Sequence, residues 1–109
     1  MTALSQSKSL TPVFAALGDD TRWDILVRLG SRELSASALA AELPVSRQAI
    51  AKHLATLSDA GLVEAVPSGR EIRYRALGAR LTSVADQLAR IGSEWDARLA
   101  KIRTIAERL

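Results

Sequence analysis

Covalent chemistry has little to work with in this sequence. It contains no cysteine and one histidine, His53. Disulfides, thiolate metal sites and thiol nucleophiles are therefore excluded. No Ser/His/Asp set and no phosphate-cradling glycine loop stands out, so we expect no enzyme, no cofactor and no metal site. Recognition chemistry is better represented. Gln48 and Lys52 lie four residues apart, one helical turn, within SRQAIAKHLATL. An amide can pair with N6 and N7 of adenine, and an ammonium with O6 and N7 of guanine. Ser46 and Arg47 just precede them, a hydroxyl and a guanidinium suited to a backbone phosphate. Ala49 stands among them, and Ala55 keeps the same side low enough to seat in a groove.

Further along, Arg70 and Arg73 flank a Pro67-Ser68-Gly69-Arg70 turn signal. Arg70 is placed to reach a minor groove or a phosphate. Arg73 shares its side of the chain with Arg75, and one of the two can be simply solvated. His53 falls at the edge of the apolar side of its segment. It reads as a packed, hydrogen-bonded buttress, with a backbone-phosphate contact as the alternative that keeps it among the candidate DNA residues. Trp23 and Trp95 read as packing residues.

These side chains need elements to hold them. Thr11 and Pro12 open a short helix with Val13, Phe14 and Leu17 on its apolar side, ended by Gly18. Asp19 caps a second helix carrying Ile25, Leu26 and Leu29, closed by Gly30. Ser35 caps a third, with Leu39 and Leu43 on one face and Pro44 as its stop. Ser46 caps a fourth, with Ile50, Leu54 and Leu57 at i, i+4 and i+7 and Gly61 at its end. Two helices joined by about three residues form a helix-turn-helix. Gln48 and Lys52 then lie opposite the apolar face of its second helix, near the start, where such a helix meets base edges.

Residues 62–66 are β-prone, and in 71–76 Ile72, Tyr74 and Ala76 alternate with Glu71, Arg73 and Arg75. The spacing predicts a two-stranded, half-buried hairpin with a basic outer face, that is, a wing. From about Ala79 onward one long helix is expected. Leu81, Leu88, Trp95, Ile102 and Leu109 recur every seven residues, with Val84, Ile91 and Ile105 three residues behind members of that row and Arg98 interrupting. This is an a/d seam of about four heptads. A domain this small cannot bury all of it, and the simplest partner is a second copy. We expect Val13, Phe14, Leu17, Leu81, Val84, Leu88, Ile91, Trp95 and Ile102 in a homodimer interface.

Composition agrees with a single small domain. The chain has 109 residues, 48% hydrophobic and 25% charged, with a net charge of +3. Residues 1–42 carry a net −1, and 43–75 and 76–109 carry +2 each, so the basic surplus begins where the duplex contacts are placed. We expect an N-terminal arm at 1–10 and one domain over 11–109. Neither a signal peptide nor a membrane span is expected, which places the protein in the cytoplasm.

The runs Leu17-Gly18-Asp19-Asp20-Thr21-Arg22-Trp23-Asp24-Ile25-Leu26 and Val45 to Leu57, continued by Asp59-Ala60-Gly61-Leu62-Val63 and the Gly69-Arg70 tip, resemble the ArsR/SmtB repressors. The resemblance spans about residues 11–109. It implies a mainly α winged helix-turn-helix fold with a small β-hairpin and a long C-terminal dimerisation helix, a dimer, and repression relieved by an effector. The chain departs from the metal-sensing members. Glu33-Leu34 is followed by Ser35-Ala36-Ser37, with serines where a Cys-x-Cys pair would stand, and hydroxyls are poor ligands for soft metals. The last helix holds Asp86, Glu94, Asp96 and Glu107 but no histidine.

The function expected is a sequence-specific, dimeric repressor of its own operon, without the family's metal-binding thiolates. Its expected partners are an inverted-repeat operator in double-stranded DNA, a second copy of itself, and a small-molecule or protein effector. The alternative is a winged-helix interaction module without DNA binding.

Overall fold

The computed structural model describes residues 11–108, so the expected arm at 1–10 and the last seam residue, Leu109, lie outside the described residues. Helix α1 covers residues 11–17. Next come α2 (Asp20–Leu29), β1 (Leu34–Ser35), α3 (Ala36–Glu42), α4 (Arg47–Asp59), β2 (Val63–Ser68), β3 (Glu71–Ala76) and α5 (Gly78–Arg108). The fold is mainly α, a winged helix-turn-helix with a long C-terminal helix.

The starts of α2, α3 and α4 are each set by a side-chain cap that satisfies an orphan backbone N–H. The Asp19 carboxylate accepts from Arg22 N at 3.0 Å. Ser35 Oγ accepts from Ala38 N and Ser46 Oγ from Ala49 N, both at 3.1 Å. Between α3 and α4 the turn is tight. Pro44 cannot continue the helix, and Val45 N–H donates back across it to Leu43 O at 2.8 Å.

Helix α4 ends in a Schellman motif. Gly61 adopts φ +76°, Gly61 N–H donates to Ser58 O at 3.0 Å, and Leu62 N–H donates to Leu57 O at 2.9 Å. Leu57 and Leu62 are both fully buried, so the motif's apolar contact sits in the core. Gly30, by contrast, closes α2 at φ −70°, an ordinary right-handed conformation that uses no glycine freedom.

The sheet departs from expectation. It has three strands in the order β1-β3-β2, all antiparallel. The extra strand is two residues long, pairing Leu34 with Tyr74 and Ser35 with Arg73. Strand β2 runs on through Pro67 and Ser68, so only Gly69 and Arg70 form the turn. Gly69 at φ +62° in the first central position fits a type II′ hairpin. Pro67 is tolerated because β2 is an edge strand, where a missing N–H costs no ladder bond. The apolar alternation also fades toward the tip: Tyr74 and Ala76 are half-buried, but Ile72 is exposed.

One core joins Val13 and Ala16 of α1 to the buried faces of α2, α3 and α4, to Leu62 and Val63 at the wing base, and to Val84 of α5. Among the described residues no polar side chain is buried in it. Beyond Val84, α5 leaves the core. Leu88, Ile91, Trp95, Leu99, Ile102 and Ile105 are all about half or more exposed, Trp95 at 56%. The molecule is correspondingly elongated, 69 × 34 × 20 Å, with a radius of gyration of 18.7 Å; a compact chain of this length would have about 13 Å.

Candidate nucleic-acid interface

The side of α4 opposite Ile50, Leu54 and Leu57 is open. Gln48 and Lys52 are exposed, and neither side chain has a partner among the described residues. Ala51 and Ala55, also exposed, leave the surface between them low. Ser46 caps the helix at its exposed start, and Arg47 beside it is exposed and holds no carboxylate. Together Ser46, Arg47, Gln48 and Ala51 line a hollow of about 460 Å³. Ala49 is half-buried, on the margin of this surface rather than facing out.

His53 lies on the inner edge of α4, half-buried, with Nδ1 3.4 Å from an Arg22 terminal nitrogen. Arg22 is the residue that sequence reasoning missed. Its Nε donates to Ala16 O at 2.8 Å and a second nitrogen to Ala15 O at 3.1 Å, carbonyls in the last turn of α1. One guanidinium thus ties α1, α2 and α4 together. The Asp19 carboxyl is held below its ordinary value, chiefly by the Arg22 backbone N–H and further by the nearby His53 and Arg22 charges, against a smaller opposing effect of burial. His53 thus contacts this hub from the inner edge of α4 and does not stand on its open face.

The wing is less basic than its composition. Arg73 Nε donates to Glu71 at 2.8 Å, and Arg75 pairs with Glu64 across the two strands. The outer face is therefore a row of ion pairs, not a bare positive surface. Such exposed pairs are weak and can exchange partners. Arg70, at the turn, is exposed and has no ion pair among the described residues, which makes it the wing's free cation at the tip.

The expected interface residues divide into two sets. Val13 and Val84 are spent on the chain's own core, and Leu17 and Leu81 are partly buried against it. Phe14, Leu88, Ile91, Trp95 and Ile102 keep their apolar surface outside. Arg98, the interruption in the seam, lies 5.5 Å from the centroid of the Trp95 ring, so a cation covers part of the more exposed of the two tryptophans. Trp23 was expected to pack, yet it is 51% exposed on α2, with Val27 one turn on also exposed.

The profile of a helix-turn-helix domain family matches residues 17–66, from the end of α1 through most of β2. The chain is 32% identical over 91 residues to the HTH-type transcriptional regulator CmtR of Mycobacterium tuberculosis, covering 84% of this chain and 77% of that one. It is 62% identical to the structure of an ArsR-like transcriptional regulator from Rhodococcus sp. RHA1, with a TM-score of 0.87 over 94% of this chain and 96% of the other. This chain belongs to the ArsR family of transcriptional regulators. It is also similar, at 27% identity and a TM-score of 0.68, to the solution structure of a homodimeric winged helix-turn-helix DNA-binding domain from Mycobacterium bovis, over 84% of this chain and 88% of that one.

Proposed function

We propose that this ArsR-family chain is a dimeric, sequence-specific repressor of its own operon that reads an inverted repeat. The observation that carries this reading is the outer face of α4, where Gln48 and Lys52 stand exposed and unpartnered beside a wing whose tip cation is also unpartnered. A polar face held this open by a fully buried opposite face is a reading surface for base edges. Gln48 and Lys52 specify bases. Arg47 and Arg70 hold backbone phosphates, and Arg73 joins them only by giving up Glu71. The exposed seam of α5, with Phe14, supports pairing with a second copy, and two copies related by a two-fold axis need half-sites about one or two helical turns apart, ~34 Å per turn.

Metal sensing does not carry over to this chain. Ser35 Oγ already serves as the cap of α3, Ser37 offers a neutral hydroxyl, and hydroxyls are poor ligands for soft ions. We expect stoichiometric zinc or arsenite to leave duplex affinity unchanged; a tight metal complex that released DNA would contradict this. Control then falls to a non-metal ligand, a partner protein, or the level of the protein itself.

The test is selection of bound duplexes from a random pool, followed by titration of the selected and a scrambled duplex at several salt concentrations. A repressor of this kind prefers the selected duplex by orders of magnitude. Equal binding to both, or none, would favour an interaction module instead.

A further inference from the structure

Between α3, α4 and the wing lies a second cleft, of about 410 Å³, which shares Arg47 and Ala51 with the hollow on the outer face of α4 but not Gln48. Its polar lining is Ser35, Ser37, Arg47, Arg70, Glu71 and Tyr74. Two arginines line this one cleft from different elements, Arg47 from the first turn of α4 and Arg70 from the wing turn. Neither has a carboxylate or carbonyl partner among the described residues. That sets them apart from the arginines that hold carboxylates: Arg28 of α2 and Arg32 in the loop after it pair with Glu42, Arg73 with Glu71, and Arg75 with Glu64. Glu71 is the one carboxylate in the cleft, and Arg73 neutralises it at 2.8 Å. The charge left facing the space is that of the two guanidiniums.

The hydroxyls complete the arrangement. Tyr74 is half-buried, and its phenol has no hydrogen-bond partner among the described residues. Ser37 is exposed on the first turn of α3. Ser35 Oγ accepts from Ala38 N, so its own O–H remains free to donate. Two planar cations and three hydroxyl donors around one space suit a tetrahedral oxyanion, with several acceptor oxygens to satisfy.

We propose that this cleft is a phosphate seat, in which Arg47 and Arg70 grip a single phosphoryl group from two sides while Ser37 and Tyr74 donate hydroxyl hydrogen bonds. The phosphoryl group belongs either to the DNA backbone or to a free phosphorylated small molecule, and both compete for the same place. Only the identity of that source rests on the DNA-binding reading; the seat itself does not. A free phosphate ester in the seat would push the duplex off α4 and the wing together, a route to derepression that needs no metal.

The first arm of the test uses the full chain without DNA. Inorganic phosphate is titrated at constant ionic strength against chloride, and the arginine Nε–H signals are followed by NMR. Arg47 and Arg70 should shift on one shared isotherm. Arg47→Ala or Arg70→Ala should each weaken it by about tenfold or more, and the double variant little further, since charged hydrogen bonds to one group are lost together. Tyr74→Phe, which keeps the ring in the sheet, should weaken it about fivefold. Independent isotherms for the two arginines, or an equal response to chloride, would overturn the seat. So would an unchanged isotherm in both Tyr74→Phe and Ser37→Ala.

The second arm adds the duplex. Ethylation of backbone phosphates one at a time should reveal one position per half-site whose modification costs the parent chain affinity but costs the Arg47→Ala/Arg70→Ala variant nothing. That result assigns the seat to DNA. If no position behaves so, yet phosphate still fills the seat and releases DNA, its ligand is a free phosphorylated molecule. A chain that binds phosphate as described but no duplex at all would refute the DNA-binding reading and leave the seat standing.

Discussion

Arg22 occupies a place that its own helix disfavours. It is the third residue of α2, at the positive end of the macrodipole, where a cation is ordinarily unfavourable. The conflict resolves when α1 is considered, because the same guanidinium caps the negative end of that helix through Ala15 and Ala16. A misplaced charge in the first turn was therefore the available signal for this hub, and it becomes legible only once the two helix ends are known to meet. Asp19 belongs to the same hub. Its pKa is depressed in the folded chain, so its stabilisation is present above the ordinary carboxylate value of 3.8 and is lost as pH falls through the lower folded value. Asp19→Asn keeps a capping side chain but loses the charge. We expect it to be less stable than the parent at neutral pH in urea, with the difference closing below pH 3.8. A gap that widened in acid would contradict the assignment.

Gln48 stands at the other extreme of legibility. Its place opposite Ile50, Leu54 and Leu57 follows from helical periodicity alone, and the structure leaves it open and unpaired. Gln48→Ala should cost about 1–3 kcal/mol per half-site and relax the choice at one base position, measured by binding a panel of single-base operator variants. Unaltered base preference would place the reading surface elsewhere.

At the scale of elements, what could be read depended on whether a local rule acts alone. Caps and breakers are local, and Asp19, Ser35, Pro44 and Ser46 mark the helix boundaries as periodicity and capping predict. Strand β1 was not legible, since two residues carry no alternation and are defined only by their partners Tyr74 and Arg73. The charge of the wing was misjudged for a similar reason. Arg73 and Arg75 alternate with apolar residues as expected, but Glu64 comes from the facing strand, and only the register brings it opposite Arg75.

The joint between recognition helix and wing is where a single atom matters most. Gly61 holds φ +76°, and the nearest atom to an added Cβ is the Arg80 side chain at 3.9 Å, so space is available but conformation is not. Gly61→Ala should cost about 1 kcal/mol or more in unfolding free energy, the penalty of a left-handed non-glycine residue. Gly92, in α5 with nothing near an added Cβ in the single chain, serves as the contrast. Gly92→Ala should raise the helix content of α5 where the glycine is not needed for close approach of a partner. Equal thermal stability of Gly61→Ala and the parent would mean that the Schellman geometry is not retained in solution.

At the scale of the whole molecule, the seam is the dominant feature. Helix α5, at 31 residues, is about 46 Å long at 1.5 Å per residue, and of the described seam residues its own domain fully buries only Val84. The heptad row was legible because it repeats; that Val13 and Val84 would be used inward was not, because burial depends on how α1 and α5 meet. Replacing Ile91 and Trp95 together by Asp places charges in the middle of the exposed row and should give a folded monomer by sedimentation, with the circular dichroism of its core helices retained. A variant that still sediments as a dimer would remove α5 from the interface.

The most direct measurement joins the seam to the reading face. The intact chain is titrated, with stoichiometry recorded, against two duplexes of equal length: one carrying the selected inverted repeat, the other the same sequence with one half-site scrambled. Two chains should bind the inverted repeat as a unit, and scrambling one half should cost orders of magnitude in affinity. In both cases binding should weaken linearly on a log–log salt plot, by about 0.9 log units per phosphate contact. One chain binding one half-site, with the same affinity whether or not the second half is scrambled, would contradict a dimeric repressor.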